Sequence, residues 1–222
     1  MAPSRAIRAL LTTLVILTTA ATPALATPAH VVPIAKARAL PLGTEVTVKG
    51  TATTPSGAFE SSFFDKGFGI QDASAGIYVS VPTDLHVVPG RRARVTGVLR
   101  DSFGLRILVP VADSDVTLSH TGFPVPPKWT ATSAVGESTE GRLVQVLGKV
   151  TKAPASDLPY GYKLGISDGS GEVQIFVNLQ TRIDVTRLHL GQYLLVTGFS
   201  GQFDTEYEIL PRSPHDIRTI TP

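Results

Sequence analysis

The chain has 222 residues, with 20 Lys and Arg against 18 Asp and Glu, and no cysteine. That absence excludes disulfides, thiolate metal sites, a cysteine nucleophile and a lipid-modified cysteine after a leader, so the fold must rely on an apolar core. The length suits one large domain or two small ones.

Residues 1–26 read as an export signal. Arg5 and Arg8 give a basic start, Ala9 to Ala20 is apolar except for threonine, and Ala24-Leu25-Ala26 has the small-x-small pattern of a cleavage site. The apolar run is too short to cross a bilayer, which takes about 20 residues, and no later stretch is as apolar. Cleavage after Ala26 removes Arg5 and Arg8 and leaves basic and acidic residues equal in number. The expectation is a secreted or periplasmic protein of bacterial type, with no stable membrane insertion once the signal is gone.

Over residues 34–118 apolar side chains alternate with period two: Val46 and Val48; Phe68 and Ile70; Ile77, Val79 and Val81; Ala93 and Val95; Ile107 and Val109. Alternation of this kind marks half-buried strands, and no window carries a helical period. Pro82 and Pro89 restrict the stretch between the third and fourth strands to a loop or one turn. Residues 119–136, with Pro124, Pro126, Pro127 and the lone tryptophan Trp129, read as a short stiff connector.

Residues 137–222 then repeat the first unit. Gly43-Thr-Glu-Val46-Thr-Val48-Lys-Gly50 matches Gly141-Arg-Leu-Val144-Gln-Val146-Leu-Gly148 at an offset of 98. Gly69-Ile-Gln-Asp72-Ala-Ser74 matches Gly165-Ile-Ser-Asp168-Gly-Ser170 at 96, and Val95-Thr-Gly97 matches Val196-Thr-Gly198 at 101. Offsets that hold within apolar segments and change between them are those of a duplicated domain whose loops have changed length. Five short strands per unit, separated by Gly, Pro and Asp, predict an all-β chain of two small closed barrels.

These motifs resemble the OB-fold domains of exported bacterial proteins, often found beside secreted nucleases. The second unit, through Asp168-Gly-Ser-Gly-Glu-Val-Gln-Ile175 and Ile209-Leu-Pro-Arg-Ser-Pro-His-Asp-Ile217, carries the resemblance most fully. It implies two tandem five-stranded OB-fold barrels after the signal peptide. It also implies nucleic-acid binding and a possible protein partner such as a secreted nuclease.

No catalytic constellation is legible. The histidines are widely spaced and outside metal spacings, and neither a Gly-x-Ser-x-Gly elbow nor a phosphate-binding loop opening a helix occurs. Asp72-x-Ser74 and Asp168-x-Ser170 have too little charge for a calcium loop and read as hairpin turns. The expectation is a non-enzyme with no cofactor and no metal.

Alternation then selects the outward residues. In an OB barrel ligands cross the face of strands 2 and 3, flanked by the loops between strands 1 and 2 and between strands 4 and 5. On the first barrel this face gathers Lys49, Gln71, Tyr78, Arg92, Arg94 and Arg106, with Phe103 in the flanking loop. Cations for phosphates and rings for bases are the requirements of single-stranded nucleic acid, so Tyr78 and Phe103 are expected to stack and the arginines to meet phosphates. On the second barrel, where Tyr193 and Leu195 replace the arginine pair, Lys163, Gln174, Phe176 and Tyr193 form an expected contact face toward the first barrel or another protein. The alternative reading is a protein- or glycan-binding module that uses the barrels as scaffold.

Overall fold

The computed structural model describes residues 30–61 and 63–220; the expected signal segment lies outside them. A five-residue helix, α1 (Ile34–Arg38), precedes β1 (Glu45–Ala52), β2 (Phe68–Gln71), β3 (Gly76–Val79), β4 (Arg91–Ser102), β5 (Leu105–Val109) and β6 (Val116–Thr121). Then follow β7 (Lys128–Trp129), β8 (Leu143–Asp157), β9 (Gly161–Ser167), β10 (Glu172–Asn178), β11 (Tyr193–Phe203), β12 (Glu206–Leu210) and β13 (Ile217–Ile220). The first sheet runs β1-β2-β3-β5-β4 and closes because β4 pairs back with β1, with β6 added beside β4. The second runs β8-β9-β10-β12-β11 and closes through β11 and β8, with β13 and β7 added at its margins. In each ring the third and fifth strands meet in parallel and the remaining neighbours are antiparallel. Among the described residues the fold is all-β apart from short turns and one helix, and forms two OB-type barrels in tandem.

Each barrel interior is filled by one face of its strands. Val48, Phe68, Ile70, Ile77, Val79, Val95 and Leu108 pack inside the first, and Val144, Val146, Ile166, Ile175, Val196 and Ile209 inside the second. Burying these side chains at roughly 1.5–3 kcal/mol each supplies the stability of a chain that has no disulfide.

Strand pairing carries the repeat upstream of residue 137. Val31 pairs in parallel with Thr47, and Trp129 in the same way with Gln145. Val32 N donates to Thr47 O and Thr130 N to Gln145 O, both at 2.9 Å. The Asp-x-Ser turns complete the match. Asp72 accepts from Ile34 N at 2.9 Å and Asp168 from Thr132 N at 3.1 Å, while Ser74 Oγ accepts from Ala35 N and Ser170 Oγ from Ser133 N. These turns therefore also hold the start of the helical turn that packs on each barrel, α1 in the first and the 3-10 turn Thr132–Ala134 in the second. Residues 128–135 thus belong to the second barrel, β6 takes the other end as far as Thr121, and the connector shrinks to 122–127.

The barrels pack directly against each other. Ala58, Phe59, Tyr78, Leu105 and Ile107 of the first meet Phe176, Phe199 and Leu210 of the second in a third apolar cluster. The ring of Phe199 lies 5.2 Å from that of Phe59 and 6.1 Å from that of Tyr78, centroid to centroid. Backbones also meet: a Cβ on Gly76 would lie 1.9 Å from Gly141 O, so any side chain there would force the barrels apart. Leu143 N donates to Gln71 Oε1 at 3.0 Å, and Arg212 Nη1 donates to Thr53 O at 2.7 Å.

This packing corrects the sequence reading of β5. Leu105 and Ile107 lie in the inter-barrel cluster and Val109 packs against it, while Leu108 lies in the barrel core. Arg106 is consequently not on the open face. Its Nη1 donates to the carbonyls of Arg38 and Leu40, and its N–H donates to Glu140 Oε1 at 3.1 Å. A strand buried on both sides shows two apolar faces, and alternation cannot say which is the interior.

Candidate nucleic-acid interface and inter-barrel cleft

The residues expected to form one binding face are divided by the structure between two concavities. The first lies on the outside of barrel 1, where β1, β4 and β6 run side by side. Lys49, Arg92 and Arg94 line it together with Gln71, Thr117 and Ser119. Lys49 and Arg94 are direct cross-strand partners, and Thr51 faces Arg92 in the same ladder. Three cations thus sit on neighbouring positions of one face.

Asp72 is the one carboxylate among the lining residues. Its Oδ1 accepts from Ser74 N, Ser74 Oγ and Ala75 N at 2.6–2.9 Å, and its Oδ2 accepts from Ile34 N. Partial burial opposes its ionisation, but the bonds from Ser74, Ile34 and Ala75 prevail and hold the carboxyl below its usual range. Asp72 is therefore ionised and committed to the α1 anchor. Its counterpart Asp168, bonded by Ser170 and Thr132, is depressed further.

Among the described residues that line the groove there is no aromatic side chain. Tyr78, expected to stack on bases, is 1% exposed and lies in the inter-barrel cluster. Its hydroxyl donates to Asp65 Oδ1 at 2.6 Å and approaches Phe59 O at 3.1 Å, and Asp65 also accepts from the hydroxyls of Ser61 and Ser80. Burial, reinforced by the Asp65 charge, pushes the Tyr78 phenol well above its ordinary range. Phe103 is exposed at the tip of the β4–β5 hairpin, but it packs on Phe203, the tip of the equivalent β11–β12 hairpin, with ring centroids 5.0 Å apart. Asp204 N donates to Phe103 O at 2.6 Å and clips the two tips together. The open strand 2–3 face expected on barrel 1 is therefore covered in part by barrel 2.

Where the two hairpins and the two strand faces meet, a cleft of about 650 Å³ remains. Phe176, expected on a second-barrel contact face, is 9% exposed there, packed against barrel 1 and overlaid by Lys163 Nζ at 5.7 Å from its ring centroid. Lys163 also pairs with Asp157 at 3.0 Å. Gln174 donates to Glu208 Oε2 at 2.8 Å. Tyr193 is not part of this face; it is half-exposed on β11 between Lys149 of β8 and Ile220 of β13. Glu208 is the functional candidate that sequence reasoning missed. Its only signal is a carboxylate between Tyr207 and Ile209 on an otherwise apolar strand end.

No family model matches the chain. Over 187 residues, 81% of its length, it is 25% identical to Endonuclease YhcR of Bacillus subtilis (strain 168), and it spans only 15% of that protein. Solved structures of similar course include a murine DNA binding protein bound with ds DNA, with a TM-score of 0.42 and 14% identity over 79% of this chain and 97% of that one. Fission yeast Pot1 with ssDNA follows at a TM-score of 0.35 and 13% identity, over 82% of this chain and 85% of that one.

Proposed function

We propose that this chain is an exported, non-catalytic nucleic-acid-binding module that grips the phosphates of a single strand in the groove of Lys49, Arg92 and Arg94. The observation that carries the reading is the direct pairing of Lys49 with Arg94 beside Arg92. A phosphate backbone laid in this concavity would meet three cations on neighbouring positions of one sheet face. No ring for stacking lines the groove among the described residues, so the reading is of backbone contact without base selection. Similarity to a short part of an endonuclease supports a role beside a nuclease that does the cutting.

Fluorescence anisotropy with a labelled single-stranded oligonucleotide tests this. Three phosphate contacts predict about a 20-fold loss of affinity between 50 and 200 mM salt, from a slope of about −0.7 per contact. Joint replacement of Lys49, Arg92 and Arg94 by alanine should abolish that dependence. Affinity that ignores both salt and these substitutions would sink the proposal.

A further inference from the structure

The inter-barrel cleft has a chemistry unlike that of the groove. Its inner wall is Phe59, Tyr78, Phe176 and Phe199, and its rim carries the exposed rings of Phe64, Phe103, Tyr160 and Phe203. Three carboxylates line it, of which Glu60 pairs with Lys66 at 2.9 Å and Asp157 with Lys163 at 3.0 Å, whereas Glu208 has no ion-pair partner among the described residues. Two buried polar groups have acceptor capacity to spare. Asn178, 8% exposed, has a buried Oδ1 with no hydrogen-bond partner. Glu208, 7% exposed, is bonded through Oε2 alone among the described residues.

Both groups are acceptors, so a ligand that satisfies them brings N–H donors. The aromatic walls select a flat group, and the Glu208 carboxyl, without a paired cation among the described residues, selects a positive charge. A guanidinium meets all three demands: it is planar, permanently charged, stacks on rings and presents five donors in a rigid fork. An ammonium lacks the flat fork, and a neutral base lacks the charge. Lys163 Nζ over Phe176 already shows that the wall accepts a cation. We propose that the cleft binds an arginine side chain presented by a partner polypeptide, with the guanidinium at Glu208 and the flanking chain over the rim aromatics, where its backbone N–H groups can donate to Asn178 Oδ1.

The site is tuned by protonation. Burial pushes the Glu208 carboxyl up to about 7, aided by the charges of Asp157 and Glu206 and opposed by the Gln174 hydrogen bond and Lys163. Glu60 faces the same cleft from barrel 1. A guanidinium favours the ionised carboxylate, so binding below about pH 7 must displace a proton and weakens as the pH falls.

The test is an NMR titration of the isotope-labelled protein, following the side-chain amides of Gln174 and Asn178. The probes are a capped Gly-Ala-Arg-Ala-Gly peptide, its lysine and citrulline counterparts, and guanosine. The arginine peptide should shift both amides, bind at least tenfold more tightly than the other three, and bind roughly tenfold more weakly at pH 6 than at pH 8. Glu208→Gln, which removes a buried charge and so preserves the fold, should weaken it at least tenfold and erase the pH dependence. Equal binding of the lysine peptide, guanosine binding more tightly than arginine, or a Glu208→Gln protein that titrates like the parent would overturn the proposal. None of the probes carries a phosphate, so the outcome is independent of the groove.

Discussion

At equivalent positions on the fourth strand of each barrel, the first carries Arg92 and Arg94 and the second Tyr193 and Leu195. Their partners on the first strand differ in the same sense: Lys49 faces Arg94, whereas Leu147 faces Leu195. The ladders around them have matching pairing, so the fold was duplicated while the surface chemistry was not. Barrel geometry depends on interior side chains and turns, and outward positions can change sign or polarity without disturbing either.

The faces that meet between the barrels are shared in a different way. Each barrel gives its third-strand aromatic, Tyr78 or Phe176, to the common cluster, so neither strand 2–3 face is left as it would be on a solitary barrel. The largest expected effect breaks this junction. Phe199→Ala removes a fully buried ring that also packs on Gly69, and should lower stability by about 3–5 kcal/mol in urea unfolding.

Next is Glu208→Gln, with the opposite sign. Because its folded pKa of about 7 exceeds the ordinary carboxyl value, the folded state retains a proton that the unfolded chain has lost, and stability falls as pH rises toward 7. Glutamine should remove that fall, making the protein more stable at pH 8 by about 1–3 kcal/mol in the same measurement.

Surface divergence is sharpened by transplantation. Tyr193→Arg with Leu195→Arg gives barrel 2 the cations of barrel 1, and should strengthen oligonucleotide binding about 10-fold at low salt while steepening the salt slope by about 1.4. The smallest effects fall on the feature both barrels retain. Asp72→Ala and Asp168→Ala each remove the acceptor holding a lead-in turn, and each should lower the thermal midpoint by an amount corresponding to about 1 kcal/mol. The depressed carboxyls of both make their contribution full above about pH 4 and lost as the pH falls below it.

Much of the architecture was legible in one sequence. Period-two alternation and turn residues gave the strands, and the repeated Gly-x-x-Val-x-Val-x-Gly and Gly-Ile-x-Asp-x-Ser motifs gave two barrels in tandem. The upstream start of the second barrel was hidden because Trp129 and Thr130 share only backbone pairing with Val31 and Val32, and the pairing of N–H with C=O leaves no mark on side-chain identity. Lys49, Arg92 and Arg94 were legible as one cluster because neighbouring strands of known order place them together. Tyr78 and Arg106 were not. Alternation establishes which residues share a face, but only the docking of the second barrel turned the outer faces of β3 and β5 into interior. Phe199 and Phe176 lie about 100 residues downstream of that surface, and no local pattern on β3 or β5 encodes their approach.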